Sequence, residues 1–216
     1  MSSSYSRQQL ETWIKTIEVP DGSKVIDIGG SQLPVKDRVK YWGASEYKIL
    51  DLENPHESKH KPDFIFDINT LIPHLSLGDN KHWEHGYFDI AFCLEVSEYL
   101  WNPVQAFHNI NALLRINALL VASFHFVYPI HQPKESDYMR YTRYGVTKIL
   151  NETGFSVQEI TPRFEVSGVV GVGSGVGQGK PSIMNWFLEQ QMRPAKDYSL
   201  HNEIGYLVKA IKKSSL

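Results

Sequence analysis

Short apolar runs, each rich in β-branched or aromatic residues, recur along the chain between polar or helical stretches. The five runs read KVIDIG, YKILDL, DFIFDI, FDIAFCLEV and ALLVASFHF. Each is apolar almost throughout rather than at alternate positions, as expected of parallel strands in a sheet that helices cover on both faces. The pattern therefore predicts a doubly wound α/β fold.

Helical patterns lie between and before these runs. Apolar residues at helical spacing predict a leading helix within residues 1–22. A second helix is predicted after Asn102 and Pro103, a cap followed by proline at the first helical position. A third begins near Thr142 and ends at Gly154, which can take the left-handed conformation at a helix terminus.

The last third of the chain predicts two more strands around a Gly-rich segment. FSVQEITPRF follows the third helix, and EIGYLVKAIKK predicts a final strand at the far end of the sheet. Between them, residues 167–181 predict a mobile loop, long enough to suggest function, and SIMNWFLEQQM resumes a helical pattern. The pattern predicts a single domain over residues 1–216.

The amino-acid composition indicates which binding partners and which cellular compartment are to be expected. The chain has 22 Lys plus Arg against 24 Asp plus Glu, so its net charge of -2 provides no general attraction to nucleic acid or anionic membranes. Cys93, the single cysteine, excludes an internal disulfide and suits a reducing compartment. No stretch approaches the roughly 18 apolar residues of a membrane helix, and the start lacks a secretory signal. We therefore expect a cytoplasmic protein without membrane insertion.

Ligands of open α/β sheets bind in the crevice beyond the carboxyl ends of the strands. After the first run, Asp27 is followed by Gly29 and Gly30, which would let the backbone approach a ligand; a tight turn is the alternative. The second run ends in Asp51, about 20 residues after Gly29, the spacing of a ribose-binding carboxylate. A solvated carboxylate or helix cap is the alternative for Asp51.

The next two runs also end in polar residues. The third ends in Asp67, followed by Ile68, where a side chain could face an adenine edge, with capping as the rival interpretation. The fourth carries Glu95 and Glu98 at its carboxyl end. Together these strand ends predict a ligand crevice.

At this point the sequence resembles a known family. The stretch FDIAFCLEVSEYLWNP is similar to the fourth strand of small class I S-adenosylmethionine-dependent methyltransferases, which reads FD, an apolar stretch, E-V-L-E-H and then D-P or N-P. Tyr99 stands where His is usual. The resemblance runs from Lys24 to Phe155, and EIGYLVKAIKK resembles the family's last strand.

The resemblance implies a Rossmann-like, mostly parallel seven-stranded sheet with an antiparallel last strand, and S-adenosylmethionine as the cofactor. It implies that the Gly turn lies beside the methionine part, that Asp51 holds ribose, that Asp67 and Ile68 contact adenine, and that Glu95 lies close to the methionine moiety. The cofactor-binding residues predicted in this way are Asp27, Gly29, Gly30, Asp51, Leu52, Asp67, Ile68 and Glu95.

Two departures from the family pattern matter. The first turn has Ser31 and Leu33 where further glycines are common, and Ile116 and Asn117 replace Pro-Gly-Gly before the fifth strand. Asn117 still suits a turn. Leu33 could crowd the cofactor carboxylate, which supports an alternative in which the chain is a non-catalytic partner or regulatory protein.

The cofactor already carries an activated methyl group, so the protein must align an acceptor and, where needed, remove its proton. The polar segment after the fifth strand supplies His125 and His131 as candidate proton acceptors. Arg140 is a candidate for holding an acidic or phosphorylated acceptor. The structural alternatives are a loop-capping His131 and an Arg140 paired with Asp137.

These patterns predict an S-adenosylmethionine-dependent methyltransferase acting on a small-molecule or saccharide acceptor, such as a glycan precursor, at oxygen. The saccharide suggestion follows from relatives with similar YPIHQP and DYMRYT segments. No metal is expected, because the histidines lack metal-ligand spacing. An NAD-dependent oxidoreductase is a weaker alternative, since the chain lacks a full G-x-G-x-x-G and a Tyr and Lys pair.

Overall fold

A mixed sheet forms the centre of the computed structural model, which describes residues 5–71, 76–77, 81–82, 86–164 and 203–213. Within these residues the sheet has seven strands. They are β1 (Lys24–Ile28), β2 (Glu46–Asp51), β3 (Phe64–Ile65), β4 (Phe88–Cys93), β5 (Leu114–His125), β6 (Phe155–Phe164) and β7 (Glu203–Lys212). All five apolar runs and both later patterns thus form strands.

The strands follow the order β6-β7-β5-β4-β1-β2-β3. The neighbours among β1 to β5 are parallel, whereas β7 pairs antiparallel with both β5 and β6. The predicted α/β class and the antiparallel last strand are therefore confirmed.

The last strand lies one place further in than predicted, because β6 takes the edge of the sheet. β7 is buried along most of its length, as a strand with neighbours on both sides should be. β6 contains Pro162, which cannot donate a ladder hydrogen bond and is tolerated on an edge strand.

Helices cover both faces of the sheet. α1 (Tyr5–Ile14) packs its Leu10 and Ile14 against one face, in a core that includes Phe92. α2 (Pro103–Leu113) and α3 (Arg143–Glu152) pack on the other face. The alternation of side chains along each strand supplies both cores, which confirms the doubly wound arrangement.

The helix ends follow the capping residues of the sequence. The Asn102 side chain accepts a hydrogen bond from the Gln105 amide, with Pro103 at the first helical position. The Thr142 hydroxyl accepts from the Gly145 amide at 3.1 Å, and Gly154 has φ of 81° after α3. α1 ends at Ile14, earlier than expected, because Glu18–Val19 pairs with Tyr41–Trp42 as a short parallel ladder.

Three further points concern parts of the chain other than the main sheet. Ser76–Leu77 and Lys81–His82 form a small antiparallel pair apart from the main sheet. The Gly-rich segment 167–181 and the helical pattern at 182–192 lie outside the described residues. No helix in the described part of the chain is long and apolar enough to cross a membrane.

Candidate functional site

A cleft of about 1000 Å³ opens at the carboxyl ends of β1, β2, β3 and β4. This volume lies at the upper end of the roughly 300–1,000 Å³ typical of small-molecule sites. The cleft brings together seven of the residues singled out from the sequence: Gly29, Asp51, Leu52, Asp67, Ile68, Glu95 and His131. Asp27, Gly30, His125 and Arg140 do not line it.

The turn after β1 depends on glycine. Gly29 has φ of 73°, and its amide donates to the Leu50 carbonyl at 2.8 Å. A Cβ at this position would lie 2.4 Å from Val96 Cγ2. Only glycine therefore lets the turn and the segment after β4 approach each other across the floor of the cleft.

Asp27 lies beneath this turn rather than in the cleft. Its Oδ2 accepts from the Val35 amide at 2.8 Å and from the Tyr47 hydroxyl at 2.6 Å, and the residue is 3% exposed. A Cβ on Gly30 would lie 2.6 Å from the same carboxylate. Asp27 and Gly30 thus shape the turn without lining the cleft, and the cofactor contacts expected of them from the sequence stay predictions.

Burial raises the pKa of Asp27 from 3.8 to about 6, although the hydrogen bonds from Tyr47 and Val35 oppose this rise. The native chain therefore binds the Asp27 proton more tightly than the unfolded chain does. The resulting stabilisation is complete below about pH 4 and is lost as the pH rises through about 6. It amounts to about 3 kcal/mol, at about 1.36 kcal/mol per pKa unit.

The variant Asp27→Asn keeps an acceptor oxygen but has no proton to release. Relative to the native chain, its free energy of unfolding should rise by about 3 kcal/mol between about pH 4 and pH 7. Urea unfolding at both pH values measures this difference. A difference that stays constant with pH would show that Asp27 titrates normally.

Asp51 stands at the cleft wall with its carboxylate held in place. Its Oδ2 accepts from the Ser31 amide at 3.1 Å, and its Oδ1 accepts from the Leu52 amide at 2.8 Å. Since an ionised carboxylate has about four acceptor positions, both oxygens can still receive hydroxyl donors. Leu52 adds exposed apolar surface beside it.

Asp67 closes a local turn and also lines the cleft. Its Oδ1 accepts from the backbone amide of Asn69 at 3.0 Å and from the Asn69 side-chain amide at 2.9 Å, which closes a local turn. The residue nevertheless lines the cleft together with Ile68. The turn therefore holds Asp67 and Ile68 in the wall of the cleft.

Glu95 connects the cleft to a buried charge cluster. The residue adopts φ of 57°, and its Oε1 accepts from Arg163 at 2.6 Å and from the Ser123 hydroxyl at 2.8 Å. Burial alone would raise the pKa of Glu95, but Arg163 and then His125 hold it well below its usual range. Glu95 is therefore an anion that borders the cleft.

His125 belongs to this cluster. It is 2% exposed, and its Nε2 lies 3.3 Å from Glu98 Oε1 and 3.6 Å from Glu95 Oε2. Burial opposes protonation, yet Glu98 and Glu95 together hold the pKa of His125 above its usual value. The structure thus places His125 outside the lining of the cleft, as a buried partner of two carboxylates.

Arg140 pairs with Asp137, which is the structural alternative given for it above. Its guanidinium donates to both oxygens of Asp137 and also to the carbonyls of Tyr128 and Pro129. Asp137 in turn accepts from the His131 amide at 2.6 Å. The geometry favours Arg140 as a brace for the loop after β5 over a role in binding an acidic acceptor.

Several residues of the cleft were not singled out as site residues from the sequence. Arg7 of α1 reaches the cleft and pairs with Glu11 at 3.1 Å. Tyr99 and Trp101 add aromatic surface to the cleft, next to Tyr128 and Tyr138 of the polar segment after β5 that the sequence already indicated. The aromatic residues following β4 are a sequence signal that could have identified Tyr99 and Trp101, whereas a contribution from α1 requires the tertiary structure.

The likeness of this chain to known proteins lies in its structure rather than in its sequence. No family model matches the chain, and no curated protein matches it. A protein described as a methyltransferase from Bacillus halodurans matches with a TM-score of 0.58 and 13% identity, over 97% of this chain and 100% of that one. An S-adenosylmethionine-dependent methyltransferase from Mesorhizobium loti matches with 0.57 and 15%, over 95% and 97%.

A third similar structure holds ligands. It is the 1,6-didemethyltoxoflavin N1-methyltransferase from Burkholderia thailandensis, with bound 1,6-didemethyltoxoflavin and S-adenosylhomocysteine. Its TM-score is 0.52 at 12% identity, over 90% of this chain and 72% of that one. These likenesses show that the chain has the fold of class I S-adenosylmethionine-dependent methyltransferases.

Proposed function

We propose that this chain is an S-adenosylmethionine-dependent methyltransferase that transfers a methyl group to oxygen of a small-molecule or saccharide acceptor. The observation that carries the proposal is the convergence of four strand ends on one cleft. Gly29, Asp51, Asp67 and Glu95 follow or end β1, β2, β3 and β4 respectively, and all four line that cleft. The fold alone does not identify the ligand. A glycine and three carboxylates at the ends of these strands suit S-adenosylmethionine.

The residues present fit the cofactor in three respects. Gly29 lines the cleft without a side chain, so its turn leaves room for the methionine part. Asp51 offers a fixed carboxylate for the ribose hydroxyls. Asp67 and Ile68 would border the adenine, and Glu95 would lie near the methionine moiety.

When bound, the cofactor supplies a methyl group that is already an electrophile, attached to a sulfonium. The protein's own task is then to bind the acceptor in line, exclude water and receive a proton. The wall formed by Tyr99, Tyr128 and Tyr138 suits a ring-shaped acceptor, because aromatic faces pack against flat or apolar ring surfaces. The Burkholderia neighbour was solved with a small heterocyclic compound, which supports an acceptor of similar size.

Leu33 favours the second candidate, a non-catalytic relative. It lines the cleft beside the Gly turn with 42% of its surface exposed. A side chain at this position would compete with the cofactor's carboxylate end. In that case the chain would lack transfer activity but could still bind a partner.

A transfer assay distinguishes the two candidates. The full chain is incubated with cofactor carrying a radiolabelled methyl group and with panels of hydroxyl-bearing acceptors, either saccharides or small aromatic compounds. The proposal expects label in at least one acceptor and matching release of S-adenosylhomocysteine. Absence of transfer across both panels, in a chain that unfolds cooperatively, would support the non-catalytic candidate, and NAD-dependent oxidation of an acceptor would overturn both.

A further inference from the structure

Tyr99 and His131 form a hydrogen-bonded pair in the wall of the cleft. The Tyr99 hydroxyl donates to the Gln132 carbonyl at 2.6 Å and also contacts Nδ1 of His131. A phenol has one hydrogen, and a carbonyl oxygen can only accept. The Tyr99 hydrogen is therefore committed to Gln132, and the Tyr99 oxygen must accept from His131.

This arrangement selects one form of the histidine. Neutral His131 must carry its hydrogen on Nδ1 to donate to Tyr99, which leaves the lone pair on Nε2. Tyr99 stays protonated, because burial first and then the charge of Glu98 raise its pKa. In the described residues no group forms a hydrogen bond with Nε2, and the His131 side chain is exposed at the cleft.

The loop that carries His131 is braced at several points. The His131 amide donates to Asp137, whose carboxylate is held by Arg140. The Glu98 carbonyl accepts from the amides of Tyr138 and Met139 at 2.8 and 3.0 Å. Both partners of the pair are thus tied to the segment after β4, so the ring position is set by the protein before an acceptor arrives.

We infer that His131 Nε2 accepts the proton of a hydroxyl acceptor, and that Tyr99 is a positioning residue that selects the required tautomer. The inference rests on the proposed function. As the acceptor oxygen forms its bond to the methyl carbon, its proton passes to Nε2 and the electron pair of the sulfur–carbon bond stays on sulfur. The imidazolium then returns its proton to water.

The tautomer is tested without cofactor or acceptor. Two-bond proton–nitrogen NMR spectra of the full chain are recorded in alkaline buffer, and the His131→Gln variant identifies the His131 signals. The native chain should show the Nδ1–H form, Tyr99→Phe should populate both forms, and Tyr144→Phe should leave the signals unchanged. Tyr144 is the matched control because it is 85% exposed and does not line the cleft. An Nε2–H form in the native chain would overturn the inference.

Kinetics test the proton transfer itself. His131→Gln should lower kcat by about 10²- to 10⁴-fold, with cofactor affinity changed less than about twofold. Tyr99→Phe should lower kcat by about tenfold, and added imidazole should restore part of the activity of His131→Ala, which a purely structural role would not allow. Full activity of His131→Gln would overturn this inference alone, whereas a native chain that binds no cofactor would overturn the proposed function.

Discussion

Replacing Glu95 by alanine is expected to lower the free energy of unfolding by about 3–5 kcal/mol. Glu95 is the carboxylate partner of Arg163, which is 1% exposed and whose guanidinium otherwise donates to the Ser6 carbonyl at 3.0 Å. Without Glu95 the guanidinium keeps its charge but loses its counter-ion in a buried site. A buried charge without a counter-ion lowers the free energy of unfolding by more than the loss of one hydrogen bond does.

Urea unfolding of three variants tests this expectation. Glu152→Ala is the matched control, because Glu152 forms an exposed pair with Lys148 and its removal should have no measurable effect. The double variant Glu95→Ala with Arg163→Met should be more stable than Glu95→Ala alone, since it removes the stranded charge as well. Equal losses in the single and double variants would contradict the account of the cluster.

Replacing Asp51 by alanine is expected to weaken S-adenosylmethionine binding by about tenfold to 150-fold. The loss corresponds to about 1.5–3 kcal/mol for a hydrogen bond to a charged acceptor, at 1.4 kcal/mol per tenfold. Asp51 is the carboxylate of the cleft that ends β2, and two backbone amides fix its orientation. Calorimetric titration of the variant measures the change.

Two companion variants separate binding from folding. Asp51→Asn retains one acceptor oxygen and should lose less affinity than Asp51→Ala. Glu53→Ala removes an exposed carboxylate two positions away that does not line the cleft, and it should bind as the native chain does. Native affinity in Asp51→Ala would remove the ribose role from this residue.

The sheet was predictable because its signal is local. Each parallel strand is a short apolar run, and buried strands of this kind need no partner in the sequence to be recognised. The position of β7 between β5 and β6 was not predictable in the same way, since strand order depends on pairings between distant segments. Pro162 in β6 was the local sign that this strand takes the edge.

The side of the cleft where we propose that the cofactor binds was predictable because strand ends converge in this fold class. Gly29, Asp51, Asp67 and Glu95 all follow from that rule. Asp27 lies in the same motif but meets Tyr47 and Val35 under the turn. The direction of a side chain within a turn depends on such neighbours, so the motif alone could not distinguish a contact residue from a supporting one.

The other polar residues in and beside the cleft were less predictable because they pair with distant or buried partners. Arg163 joins Glu95 across 68 positions of the chain, and His125 is enclosed between Glu95 and Glu98. Arg140 is engaged by Asp137. A sequence shows that such residues are polar and close to a site, but only the fold shows which of them are already paired.

We expect this cleft to bind S-adenosylmethionine. The most direct test is calorimetric titration of the full chain with S-adenosylmethionine and S-adenosylhomocysteine, with NAD as the control ligand. The account predicts binding of the first two with dissociation constants of about 1 μM, or about −8 kcal/mol, and no binding of NAD. Heat from NAD alone, or no heat from either methionine-derived ligand, would contradict it.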